Sequence, residues 1–108
     1  MTYSREYAIS KAIELAGGLR EQNIKIKMIY LFGSFALESI PVHEWSDIDI
    51  AIISDDFSGN RFDDNLRIMP CVLKVDPRIE THPFTSVDFE NSPFAQEEIV
   101  KKGILILL

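Results

Sequence analysis

Two short stretches carry residue types that could do chemistry together. The first is Leu31-Phe32-Gly33-Ser34-Phe35, an apolar run broken by a Gly-Ser pair. The second is Ser46-Asp47-Ile48-Asp49-Ile50-Ala51-Ile52-Ile53, an alternating segment opened by two aspartates. Glycine lets backbone approach a ligand closely because no Cβ intervenes. The serine adds a hydroxyl and a backbone N–H, so the pair is, in outline, a turn that holds phosphate. If Phe35 opens a helical turn, the free N–H groups there favour an anion. Aspartates at i and i+2 on a strand point to one side. Against an apolar core two buried like charges would be very costly, so the pair must meet solvent, a basic group or a cation. Mg²⁺ or Mn²⁺, which prefer oxygen ligands, are the natural match. A solvated edge strand decorated with acids is the alternative, and the apolar continuation through Ile53 weighs against it.

A third carboxylate would complete a two-ion site. Glu80, in the strand-like run Arg78-Ile79-Glu80-Thr81-His82-Pro83-Phe84, is the best candidate; Asp76 and Asp88 lie in turn-like surroundings. In such a site one ion lowers the pKa of an attacking hydroxyl, and the other binds a triphosphate and stabilises the leaving pyrophosphate. A carboxylate on the attacking side can take the proton. Glu80 would serve the first ion, with Asp47 and Asp49 bridging both.

The elements that must position these residues are legible in the spacing. Ser4 is a fitting N-cap for a helix running to about Gln22. Gly17-Gly18 lie inside it at a cost of roughly 1 kcal/mol each relative to Ala, and Asn23 supplies a left-handed exit. Ile24 to Phe32 reads as a strand that enters from the surface and becomes buried on both faces. Asp47 to Ile53 is a second strand, with Asp47, Asp49, Ala51 and Ile53 on one face. Asp55 to Asn60 is turn chemistry. Phe62, Leu66 and Met69 repeat at helical spacing, and Pro70 should kink or split that helix. The third strand places Glu80 and His82 on one face. Ser92-Pro93 opens a helix from Ala95 to Lys102 that Gly103 closes. Ile104 to Leu108 is a last apolar strand or an interface segment. The order predicts an α/β (α+β) domain: a small mixed sheet with helices packed mainly on one face.

The chain's 108 residues predict a single domain, 1–108. With 46% apolar and 26% charged residues, the composition is that of an ordinary globular protein. A net charge of −6 argues against general DNA or RNA backbone binding, which needs Lys and Arg to displace counterions. Local binding of a polyanion through metal ions is still open to it. Cys71 is the only cysteine, which excludes an internal disulfide and suits a reducing cytoplasm. No apolar run approaches the ~20 residues of a membrane span, and no signal peptide is visible.

The combination of Leu31-Phe32-Gly33-Ser34-Phe35-Ala36, Trp45 to Ile52 and a following Glu80 resembles the nucleotidyltransferase superfamily that includes DNA polymerase β. Within it, the chain is most similar to the small stand-alone minimal nucleotidyltransferase domains. The resemblance covers nearly the whole chain, with Glu98 to Leu105 as the closing helix and strand. It implies the nucleotidyltransferase fold and Mg²⁺-dependent transfer of a nucleoside monophosphate, AMP from ATP above all, to a hydroxyl. By that analogy Gly33 and Ser34 hold phosphates, and Asp47, Asp49 and Glu80 bind metal and carry catalysis. It also implies a protein partner, with small helical HEPN-type toxins, which such antitoxins neutralise by adenylylation, as the model case. Homo-oligomerisation is a further option. Three departures stand out: Leu37-Glu38 replaces the family's Arg-Gly or Lys-Gly, the loop to Asp47 is longer, and the third acid is Glu.

Other residues have plainer readings. His43 is a solvated loop histidine, and Trp45 packs beside the strand. His82 could orient Glu80 or contact substrate. Cys71 belongs to the core, and Arg61, Arg67 and Arg78 are helix or strand-end charges. Lys101-Lys102 suit a helix C-terminus. Two functions follow. The first is the nucleotidyltransferase; the second is a module of the same fold that binds nucleotide, transfers weakly or not at all, and acts by masking a partner.

Overall fold

A computed structural model describes residues 4–37, 42 and 46–107, with the backbone alone at Leu107. Among the described residues four strands form one sheet: β1 Met28–Phe32, β2 Ile48–Ile53, β3 Ile79–Phe84 and β4 Ile104–Leu107, in the order β3-β2-β1-β4. β1 runs antiparallel to both β2 and β4, and β2 runs parallel to β3. The parallel pair needs a crossover, which α2 Arg61–Val75 supplies. The sheet is mixed, as expected.

Two long helices cover one face. α1 Arg5–Glu21 is capped by the Ser4 hydroxyl, which accepts from Tyr7 N–H at 3.2 Å. It sends Ala8, Ala12, Leu15 and Leu19 into a core with Ile29, Leu31, Ile48, Ile50, Ile52, Ile68 and Val72. Gly18 stays inside this helix because a Cβ there would overlap Cys71 Sγ on α2. The helices approach closely at that point. Asn23 exits at φ 64°.

The opposite face carries a second, smaller core of Phe32, Ala51, Ile53, Phe89, Ala95 and Ile99. It is covered by α3 Ser86–Asn91 and by a wide π-type helix, Ala95–Val100. The strand alternation therefore divides β2 cleanly. Ile48, Ile50 and Ile52 face the long helices, while Asp49, Ala51 and Ile53 face the short ones.

Several expectations change. β1 begins at Met28 rather than Ile24. The preceding residues are tied to the end of β2 and the loop after it: Lys27 N–H donates to the Ile53 carbonyl at 2.8 Å and Lys25 N–H to Asp56 Oδ2 at 2.7 Å. α2 runs unbroken through Pro70. The proline is solvent-facing, so the carbonyl of Leu66 that loses its helical donor lies on the exposed side of the helix. The Phe62, Leu66, Met69 repeat marks the exposed side too; the buried residues are Asp64, Ile68, Cys71 and Val72. The turn-like surroundings of Asp88 are a short helix, α3, which Thr85 caps by accepting from Asp88 N–H at 3.2 Å. The Thr-x-x-Asp spacing of a helix start was the available signal. Of the two readings for Ile104 onward, the strand is the one found: Ile104–Leu107 pairs with β1 at the sheet edge. Glu38, Pro41, His43 and Trp45 lie outside the described residues. Among the described residues no helix is long and apolar enough to cross a membrane.

Candidate active site

The site grows from the register of three strands. Phe32 pairs with Asp49, Asp49 with Glu80, and Ala51 with His82. Asp49, Glu80 and His82 thus share the face of the smaller core, at the end where its apolar packing stops. Gly33 begins a single 3-10 turn, Gly33–Ala36, directly after β1. Its φ is +73°, and a Cβ there would overlap the Asp49 carboxylate. Glycine is needed twice over, for the backbone conformation and for the approach to Asp49. Buried Phe35 and Ala36 anchor the turn, and Arg5 Nη2 donates to the Ala36 carbonyl at 2.9 Å. Ser34 is half-buried on the same turn.

His82 is the buried centre of the cluster. Its Nε2 lies 3.5 Å from Asp49 Oδ1 and 4.0 Å from Glu80 Oε1. Ligand atoms of Asp49, Glu80 and His82 all fall within 4.8 Å of one another. Phe32 meets the imidazole edge-on at 4.8 Å between centroids, and Phe94 stacks over it at 6.4 Å. On the far side Arg61 Nη2 contacts His82 Nδ1 at 2.6 Å. The His82 Nε2 atom is buried with no hydrogen bond of its own.

The loop before α2 delivers Arg61. Buried Asp64 accepts from Ser58 N–H at 2.8 Å, from the Ser58 hydroxyl at 2.9 Å and from Gly59 N–H at 3.1 Å. Asn60 caps the helix by accepting from Asp63 N–H at 3.0 Å. Thr81 on β3 donates to Asn65 Oδ1 at 2.7 Å and fixes α2 against the strand. Arg61, read from sequence as an ordinary helix charge, therefore reaches the site.

Of the expected acids, Asp49 and Glu80 come together with His82. Asp47 is exposed just before β2 and is not part of that cluster. Asp76 lies elsewhere, tied to Tyr7 and Arg78. Two carboxylates with oxygens within 4.8 Å of each other are a donor set suited to a hard divalent cation.

Two clefts flank the cluster. One, of about 280 Å³, is lined by Phe32, Gly33, Leu37, Phe94, Glu98 and Lys102. The other, of about 360 Å³, runs between α2 and the edge strand β3 and includes Arg61, Met69, Leu73 and Glu80. Phe94 and Lys102 carried no sequence signal for a site. Lys102 had a sufficient explanation in the helix end, and it does pair with Glu98 at 3.0 Å.

Comparison with known proteins finds the same fold. A crystal structure of a toxin–antitoxin with AMP-PNP is similar at 24% identity and TM-score 0.62, covering 91% of this chain and 71% of that one. A provisionally assigned nucleotidyltransferase from Sulfolobus solfataricus is similar at 17% identity and TM-score 0.58, covering 97% and 87%. A mutant of the toxin–antitoxin MntA-HpeT is similar at 22% identity and TM-score 0.52, covering 91% and 71%. No curated protein sequence matches significantly. Residues 17–108 match the family described as Polymerase beta, Nucleotidyltransferase, and the sheet carries a glycine turn against strand-borne carboxylates. The chain belongs to the polymerase β nucleotidyltransferase family.

Proposed function

We propose that this protein transfers a nucleoside monophosphate, AMP from ATP, to a hydroxyl on a partner protein, using Mg²⁺ held by Asp49 and Glu80. The observation that carries this reading is the contact of the Gly33 turn with Asp49 beside Glu80: a close-approach turn and two carboxylates on one sheet face. Asp49 and Glu80 are hard oxygen donors that fit Mg²⁺ or Mn²⁺. Bound there, the ion supplies neutralisation of triphosphate charge and a lowered pKa for the acceptor hydroxyl.

The chain's own residues do the rest. Gly33 and Ser34 face the phosphates. The cleft beside Gly33 takes the nucleoside, with Phe94 on its wall and Lys102 offering a positive charge near the place where Leu37 stands instead of a basic residue. Glu80, on the exposed side of the cluster, is placed to accept the proton of an incoming hydroxyl. Asp47 would join at the mouth of the site.

A helical partner of the HEPN type suits the other cleft. Beside it, α2 exposes Phe62, Leu66, Met69 and Leu73, spaced four, three and four apart. That is the seam spacing of a helix that packs on another helix, and the cleft it borders ends at Glu80. Two of the similar structures are toxin–antitoxin assemblies, one with AMP-PNP. The MntA-HpeT mutant there replaces two aspartates spaced as Asp47 and Asp49 are.

The test is incubation with ATP labelled at the α-phosphate, Mg²⁺ and a co-purified helical partner. Label should appear on the partner with the wild type and vanish with Asp49→Asn. Equal labelling in both, or none in either, would count against transfer. The exposed position of Asp47, outside the cluster, favours a second reading, in which nucleotide is bound and the partner masked with little transfer. Metal-dependent ATP binding without labelling would mark that outcome.

A further inference from the structure

We propose that Arg61 locks His82 into the tautomer protonated at Nε2, making it a positioning residue that donates toward Asp49 and is kept out of the metal's ligand set. This rests on the reading of Asp49 and Glu80 as cation ligands. The three donors lie close enough together for His82 to be mistaken for a ligand. The contact on the ring's far side decides otherwise.

A guanidinium has five donors and no acceptor. At 2.6 Å from Arg61 Nη2, His82 Nδ1 must therefore accept, and its lone pair is consumed there. The imidazole proton is left on Nε2, the nitrogen turned toward Asp49 Oδ1 and Glu80 Oε1. An N–H in that direction cannot ligate a cation. It can only donate to a carboxylate, which is how an outer-shell group orients a ligand. The buried Nε2, without a hydrogen bond, is then a donor waiting for one of these oxygens. Phe32 packs edge-on against the imidazole, Phe94 stacks on it, and His82 is buried in this orientation.

The device also selects the ion. A site of two carboxylates favours Mg²⁺ and Mn²⁺, whereas an available imidazole nitrogen favours Zn²⁺. Arg61, twelve residues from Asp49 and nineteen from Glu80 in sequence, thereby excludes nitrogen-seeking metals from the sheet face.

The experiment is long-range ¹H–¹⁵N correlation of the histidine rings in the metal-free protein, paired with Zn²⁺ and Mn²⁺ titrations. Only two histidines are present, so His82→Gln assigns the spectrum. In the wild type, His82 should show a protonated Nε2 and an unprotonated Nδ1. Arg61→Leu should mix the tautomers and tighten Zn²⁺ binding severalfold, because an imidazole nitrogen becomes available to the metal, with Mn²⁺ affinity changed much less. Arg61→Lys, which keeps a donor, should restore the wild-type ring pattern. A wild-type ring protonated at Nδ1, or an Arg61→Leu spectrum and Zn²⁺ affinity identical to wild type, would overturn the proposal. None of these measurements uses nucleotide or acceptor, so failure of transfer and failure of the tautomer lock are read separately. Unchanged Mn²⁺ affinity in Asp49→Asn would instead remove the ligand reading beneath it.

Discussion

Gly33 meets Asp49 so closely that the two positions constrain each other. Its φ of +73° is one that side chains rarely adopt, and a Cβ would strike the carboxylate. Gly33→Ala should cost about 1–3 kcal/mol of stability, measured by urea denaturation. It should also weaken Mn²⁺ binding, because Asp49 must turn away to make room. Unchanged stability and unchanged metal affinity would show that the turn relaxes without disturbing the carboxylate. The same scale separates the two aspartates. Asp49 is held between Gly33 and His82, while Asp47 is exposed.

At the scale of elements, α1 and α2 are fitted to each other at one small contact. Gly18 leaves room for Cys71 Sγ, and burial pushes that thiol's pKa up. Gly18→Ala improves helix propensity by roughly 1 kcal/mol, yet overpacking costs about 1–3 kcal/mol. The net change should be destabilising. Adding Cys71→Ala should recover part of the loss, and a double-mutant cycle by thermal or urea unfolding reads that coupling. Strictly additive effects would mean that the helices do not meet there.

The junction of α2 with β3 is held by Asp76, which accepts from Tyr7 Oη at 2.7 Å and pairs with Arg78 at 3.1 Å. Burial alone would raise its pKa. Hydrogen bonds from the Arg78 side chain and backbone and from Tyr7 outweigh that and lower it to about 2 from 3.8. A carboxyl depressed in the folded state stabilises at pH values above its unfolded pKa. That contribution, about 2 kcal/mol, should fade as pH falls from about 4 through about 2. Unfolding free energy against pH should lose this acid-limb slope in Asp76→Asn; an unaltered slope would place the stabilisation in other groups.

For the whole molecule, the sheet has two differently used faces. The long helices bury one, and the other is apolar at one end and chemical at the other. α2 is the element that serves both, with its inner side in the core, its first residue at His82 and its outer side apolar and exposed. Because Phe62 and Leu66 are 70% and 50% exposed, Phe62→Gln with Leu66→Gln should alter unfolding free energy by no more than about 0.5 kcal/mol. Nucleotide and metal binding should also be unchanged. A loss of several kcal/mol would mean that the stripe is part of the core.

By itself the sequence determined the strands, the glycine turn and the face that Glu80 and His82 share on their strand, because two-residue alternation and turn chemistry are local properties; the register that sets them beside Asp49 came from the sheet. It also determined the first helix and its cap, for which Ser4 and the apolar spacing suffice. Tertiary structure alone decided which side of α2 is buried, since apolar residues occur on both sides and only packing against the sheet selects Ile68 and Val72. It alone lodged Gly18 against Cys71 and carried Pro70 through an intact helix, where the lost hydrogen bond faces water. And it alone brought Arg61 to His82: the charge on a helix's first turn is legible in the chain, but the imidazole nitrogen it meets depends on a crossover that no local spacing encodes.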